Sequence, residues 1–373
     1  MTRDQTATGG CRTPKWTLVI PCAAPLQPGA LIRPKYLLTL PTGELLVRRA
    51  AATLPRASIC SIVVTILRDA EEAYHASDAV RRAFDGDVEC VVLDEPTGGP
   101  AHTIRETIAR AGLSGPLAIK DGDSFFSIGE LPETSFMAVS DLRMQTTLSA
   151  PSRKSYVRIN EQGMIDDVVE KSVVSNFISV GLYGFSDASI FTRSFDRLAS
   201  LLGHTRLFVS HIVASAIGES HVFLPCLSDE LVDIVTLADW NAYRANYATI
   251  VCDIDGVVLH NQSAFFEPLW GTPAAPVQKN IAHLRALQDR GAQLIFMTAR
   301  PESYREATMG ELQAQGLRVH ALVMGCHHAT RFLVNDYAQS NPYPSAIAIN
   351  VERNKPELDR LLLADLTTQD RDI

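Results

Sequence analysis

No stretch of this 373-residue sequence is apolar for long enough to cross a bilayer. The longest apolar runs, such as 18–24 and 294–297, are of strand length, against the roughly 20 residues that a membrane helix needs. Basic runs are also lacking. Lys and Arg total 34 against 42 Asp and Glu, for a formal charge of -8, which argues against a nucleic-acid face built on concentrated positive charge. There is no C-x-x-C pair, and the seven cysteines are odd in number and scattered, several of them (Cys60, Cys90, Cys252) inside apolar runs. That pattern excludes a disulfide scaffold and reads as reduced core thiols of a cytoplasmic protein. Cys326-His327-His328 is the one cluster that invites a zinc site, and it is not read as one. The first residues, 1–14, are polar with Gly9-Gly10 and lack the charged-then-apolar order of a signal peptide, so they read as a loose leader. Internal repeats and low-complexity tracts are absent.

What is present suits buried cores. Hydrophobic residues make up 46% and charged residues 20%, ordinary for globular chains, and the length suggests two domains. Short apolar runs at 16–21, 61–67, 88–93 and 116–119 alternate with amphipathic stretches at 45–54, 70–84 and 102–111. Strands alternating with helices predict a mostly parallel sheet covered on both faces. Between 136 and 185 the texture changes to strand-like pieces at 155–159, 168–170 and 177–185, followed by helices at 188–202, 209–217 and 239–247. A second α/β pattern then starts: a strand at 250–254, a helix at 276–290 stopped by Gly291, a strand at 293–297, a helix at 302–315 stopped by Gly316, and strands at 332–334 and 346–350. The predicted architecture is two doubly wound α/β domains, 15–246 and 247–373, the first with a mixed sheet.

The second pattern carries the clearer chemistry. Asp253-Ile254-Asp255-Gly256-Val257 follows an apolar strand directly. Carboxylates two residues apart at a strand's end point the same way, at the edge where open α/β sheets bind ligands. Two close acids suit phosphoryl transfer: one attacks phosphorus, and the other protonates the leaving oxygen and later activates water. The segment resembles the haloacid-dehalogenase superfamily of phosphatases, whose D-x-D-G motif is matched by Asp253, Asp255 and Gly256. The resemblance implies that Asp253 is the nucleophile and Asp255 the general acid/base. Thr298, closing Leu294-Ile295-Phe296-Met297-Thr298-Ala299-Arg300, would then bind the phosphoryl group. Asp336, in Leu333-Val334-Asn335-Asp336, would hold Mg2+ together with Asp253 and Asp255, with Asn335 beside it. The family's Lys or Arg that neutralises the phospho-aspartate has no clear match; Arg331 is the first choice, with His327 and Arg318 as other candidates. About 45 residues separate Asp253 from Thr298, too few for a large cap, and Phe265, Phe266 and Trp270 are expected to form a flap.

The first pattern resembles the sugar-phosphate nucleotidyltransferases over roughly 16–247. Leu18-Val19-Ile20-Pro21 is similar to the first strand, Arg33-Pro34-Lys35 to the family's phosphate-gripping Pro-Lys, and Thr97-Gly98-Gly99-Pro100-Ala101-His102 to the turn that holds the base. Asp121-Gly122-Asp123 is similar to the site of the metal-binding Asp, and Asp233-Ile234-Val235-Thr236 to the closing motif with the second one. Glu170-Lys171 is similar to the pair that contacts sugar and phosphate, and Asn176 with Gly181-Leu182-Tyr183 to the sugar-side strand. The resemblance implies Mg2+ on Asp123 and Asp233, with catalytic Lys35 and with Lys171 alongside. Arg33, Gly98, Gly99, Glu170, Asn176 and Gly181 would be binding positions. The sequence departs from the family in the loop Cys22-Ala23-Ala24-Pro25-Leu26-Gln27-Pro28-Gly29. Two prolines there remove N–H donors that would cradle a triphosphate. Lys154 stands open between a substrate contact and a surface charge.

Joined, the halves read as a bifunctional enzyme of nucleotide-activated sugar biosynthesis, in the context of surface polysaccharide. Its partners would be a sugar or polyol phosphate and a nucleoside triphosphate, with no nucleic acid and no membrane. Two alternatives stand beside it. One is a phosphatase whose first half is only a lid or substrate reader. The other is a non-catalytic sensor or scaffold for nucleotide sugars.

Overall fold

The computed structural model describes residues 15–25, 33–145, 152, 154–203, 206–229, 231–261, 274–336 and 346–362. The leader 1–14, loop residues 26–29 and the expected flap residues Phe265, Phe266 and Trp270 lie outside them. The chain divides into two compact units, Met1–Asp239 and Trp240–Ile373.

The first unit begins with β1 (Trp16–Pro21), α1 (Leu46–Ala51), β2 (Ile59–Leu67), α2 (Arg68–Tyr74) and α3 (Ala76–Ala83). It continues through β3 (Glu89–Leu93), α4 (Pro100–Arg110), β4 (Leu117–Lys120), the two-residue β5 (Ser124–Phe125) and β6 (Phe136–Asp141). Then come β7 (Ser155–Ile159), β8 (Ile165–Glu170), β9 (Phe177–Phe185), α5 (Ala188–Leu202), α6 (Val209–Gly218), β10 (Leu224–Leu227) and β11 (Val232–Asp233). The main sheet runs in the order β10-β6-β9-β4-β1-β2-β3, with β7 pairing β9 and β8 pairing β7. Strands β4, β1, β2 and β3 are mutually parallel, whereas β9 runs antiparallel to both β4 and β6. The sheet is therefore mixed, parallel only in the half that the alternating strand–helix pattern announced.

Strand alternation explains the two cores. Leu18 and Ile20 of β1 join Val64 and Ile66 of β2 beneath Val47 and Val80 on one face. Val19 and Val63 turn to the other face, against Ala101, Ile104 and Ile108 of α4 and Ile212 and Val213 of α6. The helix expected over 70–84 is broken in two at His75, whose backbone is left-handed with φ 49°. Leaving the helix there lets the Ser77 amide donate to the Glu71 carboxylate at 2.7 Å.

Helix α7 (Leu237–Ala245) spans the division, and the second unit continues with β12 (Thr249–Asp253), α8 (Gln278–Arg290), β13 (Gln293–Met297), α9 (Arg305–Ala314) and β14 (Ala321–Val323). These strands form a parallel sheet in chain order, β12-β13-β14. Cys252, Leu294, Phe296 and Leu322 pack with Ile281, Leu284 and Leu312 of the helices on one face. On the other face Val251 and Val323 are 45% and 42% exposed. Among the described residues, then, the sheet is wound on one side, not doubly wound as expected. Right-handed crossovers between strands in sequential order put their helices on the same face, which accounts for it. The strands expected at 332–334 and 346–350 are not strands. The edge of β13 is taken by Ala321–Val323, and Phe332, Leu333 and Val334 are 85%, 62% and 90% exposed.

Candidate functional site

Each unit gathers charged side chains at the carboxyl end of its parallel strands. In the first unit, β1 and β4 run side by side, with Val19 opposite Ile119. The turn Asp121-Gly122-Asp123 therefore emerges beside Cys22, so closely that a Cβ on Gly122 would lie 3.0 Å from the Cys22 Sγ. Asp233 arrives from far along the chain. The ladder of β5 and β11 sets Asp233 opposite Ser124, and the Ile234 amide donates to the Asp123 carbonyl at 2.9 Å. Lys35 Nζ pairs with Asp123 Oδ2 at 3.2 Å, and Lys154 Nζ pairs with Asp233 Oδ2. Four of the charges thus alternate in sign at one edge, and Lys154 is the member whose role the sequence left open.

One further member, Lys120, was missed, and Asp121 was named without a role of its own. Lys120 ends the buried strand β4 with no exposure. Its Nζ donates to the carbonyls of Asp121 and Ser124 and to Ser124 Oγ, each at 2.8 Å. Burial pushes it down to about 8, although Asp121, Asp123 and Asp233 pull the other way. Burial, and next the charge of Asp123, raises Asp121 to about 7. Asp233 is also raised, by burial first, against the pull of Lys154. The signal available was a lysine closing an otherwise apolar strand directly before an acid. Gly181, with φ 78°, lies so close to Asp121 that a Cβ would come within 2.4 Å of its Oδ2.

Toward β8, Glu170 accepts from Ser210 Oγ at 2.7 Å and from Ser155 Oγ. Lys171, left-handed at φ 57°, donates its amide to the Lys154 carbonyl at 3.0 Å. Its Nζ lies 4.6 Å from the centre of the Phe208 ring, and the Arg206 guanidinium lies 5.3 Å from the same ring. Gly99, the residue before α4, has φ 152°, and a Cβ there would meet Arg206 Cγ at 2.9 Å. A Cβ on Gly98 would meet the His102 ring at 3.2 Å. So the glycine turn and the Glu-Lys pair are joined through Arg206 and Phe208, neither of which the sequence reading singled out. Asn176 is exposed, and its carbonyl accepts from the Leu142 amide at 2.9 Å. Arg33 is exposed, and no described contact joins it to this cluster.

In the second unit β12 ends on Asp253. Its carboxylate accepts from the Ile254 amide at 3.0 Å and faces Arg331, with contacts of 3.2 and 3.3 Å to its two oxygens. Arg318 instead pairs with Asp289 at the surface, 3.1 Å away, and His327 is exposed. Gly256, at φ 100°, turns the chain so that its amide donates to the Leu259 carbonyl at 2.7 Å. Asp255 is held by Arg300, whose Nη2 donates to Oδ1 at 2.7 Å and whose Nε donates to Oδ2 at 3.0 Å. Thr298, 1% exposed, donates to Asp255 Oδ2 at 3.3 Å and accepts from the Arg300 amide at 3.1 Å. Its hydroxyl is thus turned onto Asp255. Arg300 is the residue missed here. It follows the strand-closing threonine by two positions, a spacing that sets both on one side of the chain.

Among the described residues no three His, Cys, Asp or Glu side chains converge as a metal-binding group. Asp123 and Asp233 nonetheless fit a magnesium ion. They are hard oxygen donors, Asp233 being raised by burial first and also by the charge of Asp123, and magnesium is commonly held by one or two carboxylates plus substrate phosphates. The three-carboxylate set expected in the second unit does not converge among the described residues: Asp253 and Asp255 face Arg331 and Arg300, and Asp336 stands on the exposed, irregular segment before residue 337.

No family model and no curated protein matches this sequence. Solved structures do resemble it in fold. A nucleoside-diphosphate-sugar pyrophosphorylase from Vibrio cholerae aligns over 61% of this chain and 99% of its own, at 16% identity and a TM-score of 0.49. An inositol-1-phosphate CTP transferase from T. maritima aligns over 60% and 91%, at 15% identity and 0.48. A putative glucose-1-phosphate thymidylyltransferase from Bacillus anthracis aligns over 62% and 94%, at 15% identity and 0.48. Likenesses this distant assign no chemistry. No helix among the described residues is long and apolar enough to cross a membrane.

Proposed function

We propose that the first unit transfers a nucleotidyl group to a sugar or polyol phosphate. The observation that carries this reading is the convergence of Asp123, Asp233, Lys35 and Lys154 at the carboxyl edge of β1 and β4. Attack of a phosphate oxygen on the α-phosphorus of a nucleoside triphosphate expels pyrophosphate and concentrates negative charge. Lys35 and Lys154 are placed to offset that charge. Mg2+ on Asp123 and Asp233 would neutralise the triphosphate further. Lys171 and Arg206, two cations over one ring, offer a seat for the acceptor's phosphate. The Gly98-Gly99 turn, whose missing side chains admit Arg206 and His102, is the proposed seat of the base.

For the second unit the pairing of Asp253 with Arg331, and of Asp255 with Arg300, favours phosphomonoester hydrolysis through a phospho-aspartate. Asp253 attacks phosphorus as the ester P–O bond breaks, and Asp255 gives its proton to the departing oxygen. Water then attacks the phospho-aspartate, and Asp255 takes the proton back. Arg331 offsets charge on the phosphoryl oxygens. A chain that removes one phosphate and activates another belongs in nucleotide-sugar supply for surface polysaccharide, in the cytoplasm.

The test is a panel of sugar phosphates and bisphosphates with magnesium, with and without nucleoside triphosphates. Pyrophosphate release should vanish in Asp123→Ala and persist in Asp253→Asn, and phosphate release should do the reverse. Pyrophosphate from no triphosphate would refute the transferase reading and leave the first unit a binding module.

A further inference from the structure

Arg300 is 3% exposed in its side chain, yet every nitrogen of its guanidinium has a partner. Nε donates to both oxygens of Asp255, at 3.2 and 3.0 Å, and Nη2 to Oδ1 at 2.7 Å. Nη1 donates to Thr308 Oγ1 at 3.1 Å and to Glu311 Oε2 at 2.6 Å, both on α9. The fork therefore ties the turn after β12 to a helix two elements away. A planar guanidinium anchored at both ends cannot swing, so the orientation it imposes on Asp255 is fixed. The Thr298 hydroxyl adds a contact to the same carboxylate, and the Arg300 amide holds that hydroxyl in turn. Asp255 nonetheless keeps 20% of its side chain exposed. The clamp grips the carboxylate from the buried side and leaves an open side at the strand edge. Glu311 shares the cation, so Arg300 does not belong to Asp255 alone.

We propose that Arg300 is the positioning residue for proton transfer by Asp255. It would hold that carboxyl where the leaving oxygen departs as the bond between Asp253 and phosphorus forms. The proposal rests on the phosphatase reading of the second unit. Asp255 takes up a proton from solvent on its open side, passes it to the leaving oxygen while the ester P–O bond breaks, and ends as the carboxylate that the clamp holds, ready to deprotonate water. A brace that merely stabilised the turn would affect all substrates alike. A proton-positioning clamp affects only those whose leaving group needs the proton.

Leaving-group dependence separates the two. The full-length chain, without nucleoside triphosphate, is assayed on p-nitrophenyl phosphate, whose phenolate leaves unaided, and on a hexose 6-phosphate, whose alkoxide does not. Arg300→Lys should lower kcat on the sugar phosphate about 10- to 100-fold, within the range general acid catalysis contributes. It should leave kcat on the aryl phosphate within about threefold, with KM little changed on both. Glu311→Gln, which loosens Arg300 without touching Asp255, should show the same selectivity to a smaller degree. It decides the matter if Arg300→Lys does not accumulate as folded protein. Equal losses on both substrates, or no loss on either, would overturn the proposal. A wild type that hydrolyses neither ester, or an Asp253→Asn variant as active as wild type, would sink the phosphatase reading itself and this proposal with it.

Discussion

The buried acid of the first unit makes a quantitative prediction. Asp121 sits at about 7, raised from an ordinary 3.8 by burial and by Asp123. The folded state therefore keeps a proton that the unfolded chain releases. The sign follows: the stability this group contributes is complete below about pH 4 and is lost as pH rises through 7. The displacement is about three units at about 1.4 kcal/mol each, so the loss is at most about 4 kcal/mol. Asp121 retains some exposure and is coupled to Asp123 and Lys120, which brings the figure nearer about 2 kcal/mol. Asparagine is isosteric and stays neutral. It also spares the bond from Lys120, which goes to the Asp121 backbone carbonyl and not to its carboxylate. Asp121→Asn should thus match wild type near pH 4.5 and exceed it by about 2 kcal/mol above pH 8. The assay is denaturant unfolding of the chelator-treated full-length chain at intervals between those limits, read on the transition of the first unit. Parallel profiles for the two proteins, or a variant weaker at high pH, would refute the reasoning. Magnesium should narrow the gap, because a dication on Asp123 and Asp233 offsets the charge that raises Asp121.

Other expectations follow from single contacts. A Cβ at Gly184 would fall 2.1 Å from Phe136 Cε1, and that ring is fully buried against Trp16. Gly184→Ala should therefore destabilise the first unit by about 1–3 kcal/mol, and an unchanged unfolding midpoint would contradict the packing described. Lys154→Met leaves Asp233 without its cation, so pyrophosphate formation should fall at least tenfold while phosphate release is unaffected; a shared loss would disconnect Lys154 from the transferase site. Gly181→Ala forces a side chain at φ 78° onto Asp121, and nucleoside triphosphate binding measured by calorimetry should weaken sharply, whereas intact affinity would separate Gly181 from the site.

The sequence was legible where chemistry is local. An apolar run that ends in acids announces a strand end, and β12 and β4 lie where Asp253 and Asp121-Gly122-Asp123 pointed. The apolar runs at 16–21 and 61–67 likewise became β1 and β2. It was opaque where a residue's meaning lies in a distant partner. Lys154 reads as any surface lysine until Asp233 arrives beside it, and Arg300 reads as a strand-end charge until Asp255, Thr308 and Glu311 surround it. The break at His75 involves neither glycine nor proline, so no residue type marked it. Strand β14 is three residues long, too short for periodicity to register. Phe332-Leu333-Val334 had the apolar composition of a strand, yet these residues join no sheet.

The ladder between β5 and β11 is only two residues long, yet it is what delivers Asp233 to Asp123 across more than a hundred residues of intervening chain. Such a closure forms no local nucleus and gains nothing until both ends are in place. During synthesis the first unit can complete its main sheet at β10 and still hold only half of its acid pair. The site comes into being with the last few residues of that unit, so a prematurely ended chain would be folded for the most part and yet unable to act on a substrate.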